Sequence, residues 1–243
     1  MSLEAKDRLI VALDFETAQR ALSLFNRLKD AVGMFKIGSQ LFTAEGPGLV
    51  REIVRGGARV FLDLKFHDIP NTVAAAGVEA ARLGVHIFNL HASGGREMMR
   101  RTADAVTETA SREGFARPLV IGVTALTSMD DAMLAEVGFS SGTREQVRRM
   151  ARLSADSGLD GVVASPHEVA LVREAVGRQD FCIVTPGVRP VGVAHDDQRR
   201  VMTPAEAVRA GADYLVVGRA ILNAPDPVVA ARRIIEEMEK IEV

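Results

Sequence analysis

The stretch EIVRGGARVFLDLK, residues 52–65, runs from helix formers through two glycines into a short apolar run that ends in charge. The glycines suit the position just past a helix C-terminus, where the chain turns back. The run RVFL reads as a buried strand. The same order returns in EAARLGVHIFNLHAS (79–93), RLSADSGLDGVVAS (152–165) and EAVRAGADYLVVG (206–218). This loose echo predicts a chain built of alternating helices and strands. Strands are predicted at LIVAL (9–13), MFKIG (34–38), RVFLDLK (59–65), VHIFNL (85–90), LVIGVT (119–124), GVVAS (161–165), FCIVT (181–185) and YLVVG (214–218). Near-continuous apolar strands indicate burial on both faces, as in parallel strands covered by helices. Eight such units in 243 residues match one (β/α)8 TIM barrel, an α/β fold, spanning 1–243. A doubly wound open sheet is the alternative, because periodicity does not show that a sheet closes.

Helix starts are marked as well. TPAE (203–206) and SPHE (165–168) each combine a Ser or Thr N-cap, Pro at the first helical position and Glu at the third. TREQ (143–146) offers the same box with Gln. No low-complexity segment or flexible linker divides the chain.

Composition narrows the function. The chain is 47% hydrophobic and 26% charged, with a formal net charge of −2. No basic field is available for a polynucleotide, which argues against a nucleic-acid partner. No apolar stretch approaches the roughly 18 residues that span a bilayer, and the N-terminus lacks the apolar core of a secretory signal. A soluble, cytoplasmic protein with no membrane partner is expected. The single cysteine, Cys182 in FCIV, reads as a small core residue rather than a nucleophile.

The polar residues fall in one place. In a parallel barrel, chemistry sits at the C-terminal ends of the strands. There the chain places Asp14, Lys36, Asp63, Lys65, Thr124, Thr127, Arg189, Gly218 and Arg219. An interior layer of structural ion pairs is the alternative explanation. Asp63 and Lys65 are two apart and are expected to share one face of the third strand. Asp68 follows in a loop stopped by Pro70 and need not point into the same barrel. A lysine flanked by carboxylates is favoured as the ammonium, a cation and proton donor. Such an array suits a reaction that develops a carbanion and then protonates it. Decarboxylation, epimerisation, ring opening and retro-aldol cleavage all qualify. VVGRAI (216–221) reads as an anion cradle after strand eight. GVRPVGVAHDDQRRVM (187–202) reads as a long closing loop that carries Arg189 and Gln198. His86 and His91 are expected on opposite sides of strand four, and His67, His167 and His195 outside the strands. Nothing in this pattern argues for a metal site.

With those residues in view, the chain resembles the orotidine 5′-phosphate decarboxylase family in its shorter bacterial form. The likeness runs from LDF (13–15) to VVGRAI (216–221), and DLKFHDIPNTV (63–73) is its most specific part. The resemblance implies conversion of orotidine 5′-monophosphate to UMP and CO2 in pyrimidine biosynthesis, without metal or organic cofactor. It implies that Lys65 protonates the C6 carbanion within an array of Lys36, Asp63, Lys65 and Asp68. It also implies a homodimer in which Asp68 and Thr72 complete the neighbouring site. Asp14 and Lys36 would contact the ribose hydroxyls, Thr127 the pyrimidine, and Gln198, Gly218 and Arg219 the phosphate, with Arg189 on the closing loop. Asp63, flanking Lys65, and Thr72 would also contact the substrate. Magnesium-dependent sugar-phosphate decarboxylases and synthases share the Asp-x-Lys-x-x-Asp motif. They resemble the chain less, having a Glu metal ligand where it has Lys36. A non-catalytic nucleotide-binding barrel is the third reading.

Overall fold

The computed structural model describes residues 4–190 and 202–240. A one-turn helix, α1 (Ala5–Arg8), leads into β1 (Leu9–Ala12). There follow α2 (Ala18–Leu28), β2 (Met34–Gly38), α3 (Ser39–Arg55), β3 (Arg59–Phe66), α4 (Pro70–Arg82), β4 (Ile87–His91), α5 (Gly95–Glu113) and β5 (Leu119–Val123). Two helices, α6 (Asp131–Glu136) and α7 (Thr143–Asp156), precede β6 (Gly161–Val163). Then come α8 (Val169–Val176), β7 (Cys182–Pro186), α9 (Pro204–Arg209), β8 (Tyr214–Val217), α10 (Arg219–Leu222) and α11 (Pro227–Glu239). All eight predicted strands form, with ends shifted by a residue or two. Each pairs parallel with its neighbours, and β8 pairs with β1 through Leu9↔Leu215, Ile10↔Val216 and Val11↔Val217. The sheet is therefore a closed barrel in chain order, and the open sheet is excluded.

Strand alternation divides the core in two. Ile10, Ala12, Met34, Phe61, Ile87, Ile121, Val184 and Val216 pack together as the barrel interior. Residues of the other parity, among them Leu9, Val11, Phe35, Ile37, Val60, Leu62, Phe88 and Leu90, pack outward against the helices. Burying Phe61, which is 2% exposed, contributes on the order of 2–3 kcal/mol. The inward parity has a consequence for function. Two residues beyond Met34, Phe61 and Ile87 stand Lys36, Asp63 and Asn89, so the next layer toward the strand C-termini turns polar.

The other end of the barrel is closed by a different ion pair. Arg59, at the start of β3, donates to the Gly33 carbonyl at 2.9 Å and pairs with Asp7 of α1 at 2.5 Å. Charge at this end ties α1 to the barrel floor, the structural use of ion pairs weighed as an alternative above.

The helix-start signals hold in two of three cases. Thr203 Oγ1 accepts from the Glu206 N–H at 3.2 Å, and the Glu206 carboxylate accepts from the Thr203 N–H at 2.9 Å. At SPHE, Glu168 accepts from the Ser165 N–H at 3.1 Å and a short 3-10 turn precedes α8. TREQ is a correction. Its Thr143 lies inside α7, whose N-cap is Gly142, and both the N–H and the hydroxyl of Thr143 donate to Asp131 Oδ1. A carboxylate twelve residues upstream took the partner that the local box would have supplied.

Cys182 is buried in β7, and burial pushes its thiol pKa up, as for a core residue. Where β6 and β7 touch, the backbone of Gly161 leaves no room for a side chain: a Cβ there would overlap the Cys182 carbonyl. Gly161→Ala is expected to destabilise the fold by about 2 kcal/mol. This should read as a lower denaturant midpoint at unchanged slope. Gly48→Ala, which meets open space in α3, should be neutral or stabilising by up to about 1 kcal/mol.

Candidate active site

The site begins where β3 stops behaving as a strand. Its register with β4 runs Phe61↔Ile87 and Leu62↔Phe88, then resumes only at Phe66↔Leu90. Residues 63–65 therefore span the place opposite Asn89. Within this bulge Lys65 takes φ 53°, the one positive φ at a non-glycine among the described residues. A left-handed backbone at such a residue costs about 1–2 kcal/mol. It persists only where its surroundings over-determine it.

This corrects one step of the sequence reading. Asp63 and Lys65 do converge, but not because alternation puts them on one face. Alternation lapses after Asp63, and the left-handed turn brings the Lys65 side chain back. Lys65 Nζ then donates to Asp63 Oδ1 at 2.6 Å.

The charges form a line across the barrel mouth. Lys36 Nζ lies 3.0 Å from Asp14 Oδ1 and 3.5 Å from Asp63 Oδ2. Asp63 thus faces an ammonium with each oxygen. The side chains of Lys36 and Asp63 are 11% and 13% exposed, against 33% for Lys65 and 54% for Asp14. The buried pair sits at the floor and the more open groups at the lip. Burial alone would raise the Asp63 pKa. The charges of Lys36 and Lys65, with hydrogen bonds from Lys65 and Asn89, outweigh it and hold the carboxyl below its ordinary value.

A cavity of about 170 Å³ opens directly on this array. Phe61, Val163 and Val216 form its apolar walls, and Thr127, from the loop after β5, also lines it. A larger groove of about 810 Å³ along the start of α7 shares only Thr127 with the lining of this cavity and touches none of the charged line. The smaller cavity is the one lined by Lys36, Asp63 and Lys65. Thr124, the other threonine after β5, is buried and donates to the Val163 carbonyl at 3.0 Å, a structural contact.

The remaining predicted residues that the structure describes lie around the rim. Gly218 caps α10, and a Cβ there would stand 3.4 Å from Asp14 Oδ2, so the ends of β8 and β1 are neighbours. Arg219 is the first residue of α10. Arg189 follows β7, is 4% exposed, and its N–H donates to the Met202 carbonyl at 3.0 Å. Gln198 and His195 lie outside the described residues. Asp68 and Thr72 are exposed, and neither joins the Lys36–Asp63–Lys65 group of its own chain. The Asp68 carboxylate accepts from the adjacent Ile69 N–H at 2.6 Å, and Thr72 stands in the first turn of α4.

Sequence reading missed two features. Asn89, fully buried, donates from Nδ2 to Asp63 Oδ1 at 2.7 Å and accepts the Lys65 N–H at 2.8 Å. The available signal was a lone amide in HIFNLH, two residues beyond inward-facing Ile87. His67, expected outside the strands and found exposed, has its ring 5.3 Å from that of His91. The His91 pKa is lowered by burial, then by His67 and Lys65, against the pull of Asp63. Among the described residues, no group of three or more His, Cys, Asp or Glu side chains is placed to hold a metal ion.

The depressed Asp63 pKa has a signed consequence. The stability it contributes is present above the unfolded carboxyl value of about 3.9 and is lost as pH falls through the folded value. The stability of wild type relative to Asp63→Asn should therefore decline between roughly pH 5 and the acid limit of folding. Parallel denaturation curves for the two proteins across that range would show that Asp63 carries no such shift.

Comparison with known proteins agrees with this geometry. A profile described as "Orotidine 5'-phosphate decarboxylase / HUMPS family" matches residues 7–234. Orotidine 5′-phosphate decarboxylase of Syntrophotalea carbinolica is 56% identical over 238 residues, covering 98% of this chain and 97% of that relative. The Geobacter sulfurreducens protein of the same name is 56% identical over 235 residues, covering 97% of each. The crystal structure of orotidine 5′-phosphate decarboxylase from Lactobacillus acidophilus superposes with a TM-score of 0.83 at 35% identity, covering 95% of this chain and 98% of that one. A profile match over nearly the whole barrel and relatives above half identity make this chain a member of the orotidine 5′-phosphate decarboxylase / HUMPS family.

Proposed function

We propose that the protein is a cytoplasmic orotidine 5′-phosphate decarboxylase that releases CO2 from orotidine 5′-monophosphate to give UMP, with no metal or organic cofactor. The observation that carries this reading is the ion-paired line Asp14–Lys36–Asp63–Lys65 above an apolar cavity. The family membership and the names of its relatives support the substrate. The barrel 1–243 is read as one catalytic domain.

The chemistry follows from the charges. The substrate carboxylate enters beside Asp63, a carboxylate kept ionised by its two lysines. The bond from C6 to the carboxyl carbon breaks, its electron pair stays on C6, and neutral CO2 leaves. Repulsion from Asp63 is relieved as the negative charge moves off the carboxylate and onto C6, beside the Lys65 ammonium. The Lys65 ammonium, preorganised by Asp63, stabilises the carbanion and then transfers a proton from Nζ to C6. A water-borne proton restores the ammonium. Asp14 and Lys36 hold the ribose hydroxyls, and Thr127 contacts the pyrimidine. Arg189, Gln198, Gly218 and Arg219 receive the phosphate, whose charge matches guanidinium donors. A magnesium-dependent sugar-phosphate reaction is disfavoured because the Lys36 ammonium already occupies the space between Asp14 and Asp63, where a cation would be held.

We infer further that Asp68 and Thr72 serve the site of a second copy in a homodimer. Their exposure on the rim, away from their own Lys65, supports this.

Lys65→Ala should lower kcat by at least about 10⁴-fold with the fold intact, followed as loss of pyrimidine absorbance from orotidine 5′-monophosphate. Wild-type turnover should survive exhaustive EDTA treatment; its abolition and recovery with Mg²⁺ would favour the sugar-phosphate chemistry. For the dimer, Lys65→Ala and Asp68→Ala proteins are each expected to be inactive, yet to recover activity when mixed. With random exchange, half the dimers are mixed and one site in each is intact, so about a quarter of wild-type activity should return. No recovery, in protein shown to exchange subunits, would return Asp68 to its own barrel.

A further inference from the structure

We propose that Asn89 is the positioning residue for the Lys65 proton donor: its one amide fixes both the lysine's backbone and the carboxylate against which the ammonium rests. This rests on the decarboxylase reading above and adds a residue to it.

The bulge in β3 makes the case. Between Leu62↔Phe88 and Phe66↔Leu90 the ladder between β3 and β4 is interrupted. The Lys65 N–H has turned away from the β4 backbone, and it meets Asn89 Oδ1 at 2.8 Å instead. A buried N–H without an acceptor costs about 1–3 kcal/mol. The side-chain carbonyl therefore offsets the left-handed turn at Lys65, φ 53°. Without it the turn would be both strained and unpaired.

The same contact sets the second half of the amide. Because the Lys65 N–H can only donate, Oδ1 must face it and Nδ2 must face away. Nδ2 points to Asp63 Oδ1 at 2.7 Å, the oxygen that also accepts from Lys65 Nζ at 2.6 Å. One planar group thus couples the backbone that aims the lysine to the carboxylate that receives its head. Asn89 is 0% exposed and is not among the residues lining the 170 Å³ cavity, so it acts through Asp63 and Lys65 and not on substrate. Few side chains serve. Asp keeps the acceptor but loses the donor and sets a second anion beside Asp63, while Ala or Leu leaves both partners unmet.

The test compares wild type, Asn89→Ala and Asn89→Asp in steady-state assays with orotidine 5′-monophosphate across acidic to neutral pH, with thermal melting as a fold check. Asn89→Ala is expected to lose roughly 10²-fold in kcat, the scale of an ångström of misplacement, with KM within about threefold. In the near-isosteric Asn89→Asp, the two carboxylates share a proton at higher pH than Asp63 alone would bind one. The acid limb of its kcat profile should therefore move to higher pH. A merely structural asparagine would lower the melting temperature and the folded fraction but leave that limb in place. The proposal is overturned if folded Asn89→Asp matches wild type in kcat and pH profile, if the loss is confined to KM or to the folded fraction, or if Asn89→Asp fails to fold. Absence of turnover by wild type in the same assay would instead overturn the functional reading.

Discussion

Asp63 is held between two ammonium groups at the top of an apolar barrel, and the site is organised around that carboxylate. Its oxygens divide their partners: one takes Lys65 and Asn89, the other faces Lys36. Burial without those partners would favour the neutral acid. With them the carboxylate stays charged in a place where charge is costly. Preorganisation of this kind makes a fixed array useful in catalysis, since the dipoles need not rearrange when charge develops.

The barrel supplies the frame for that array in a simple way. Inward parity carries β2, β3 and β4 from Met34, Phe61 and Ile87 to Lys36, Asp63 and Asn89, so an apolar plug gives way to a polar layer within one step of the pleat. The plug resists collapse beneath the site, and Phe61 serves as both core and cavity wall. Among the described residues, the one left-handed non-glycine is Lys65, near the end of β3, where the sheet register has already lapsed. Such local strain is stable when packed surroundings define it from several sides.

Two ion-pair systems occupy opposite ends of the barrel, and comparing them shows why position decides the role of a charge. Arg59 and Asp7 close the N-terminal end together with the Gly33 carbonyl, and they tie α1 to β3. Lys36, Asp63 and Lys65 sit at the C-terminal end and open on a cavity. Similar chemistry gives a structural clamp at one end and an array open to a cavity at the other. The difference is access to a cavity, which residue type alone does not encode.

How much could be read in advance follows from the range of the forces involved. The eight strands, the βα order and the charged strand ends were legible because apolar runs, glycine turns and N-cap boxes are local patterns. The clustering of Lys36, Asp63 and Lys65 followed from those strand ends, and the family motif added their order of roles. TREQ misled because a distant carboxylate, Asp131, outcompeted the local cap. Closure of the sheet, the left-handed backbone at Lys65 and the double contact of Asn89 were decided by tertiary structure. Each depends on a neighbouring strand far away in the chain: β8 beside β1, and β4 beside the bulge of β3. Sequence by itself determined that Lys36, Asp63 and Lys65 would stand at the barrel mouth, because the apolar runs that mark strand ends are a local property. Only the packed barrel decided how Lys65 turns to meet Asp63, because that turn is held by a partner 24 residues away.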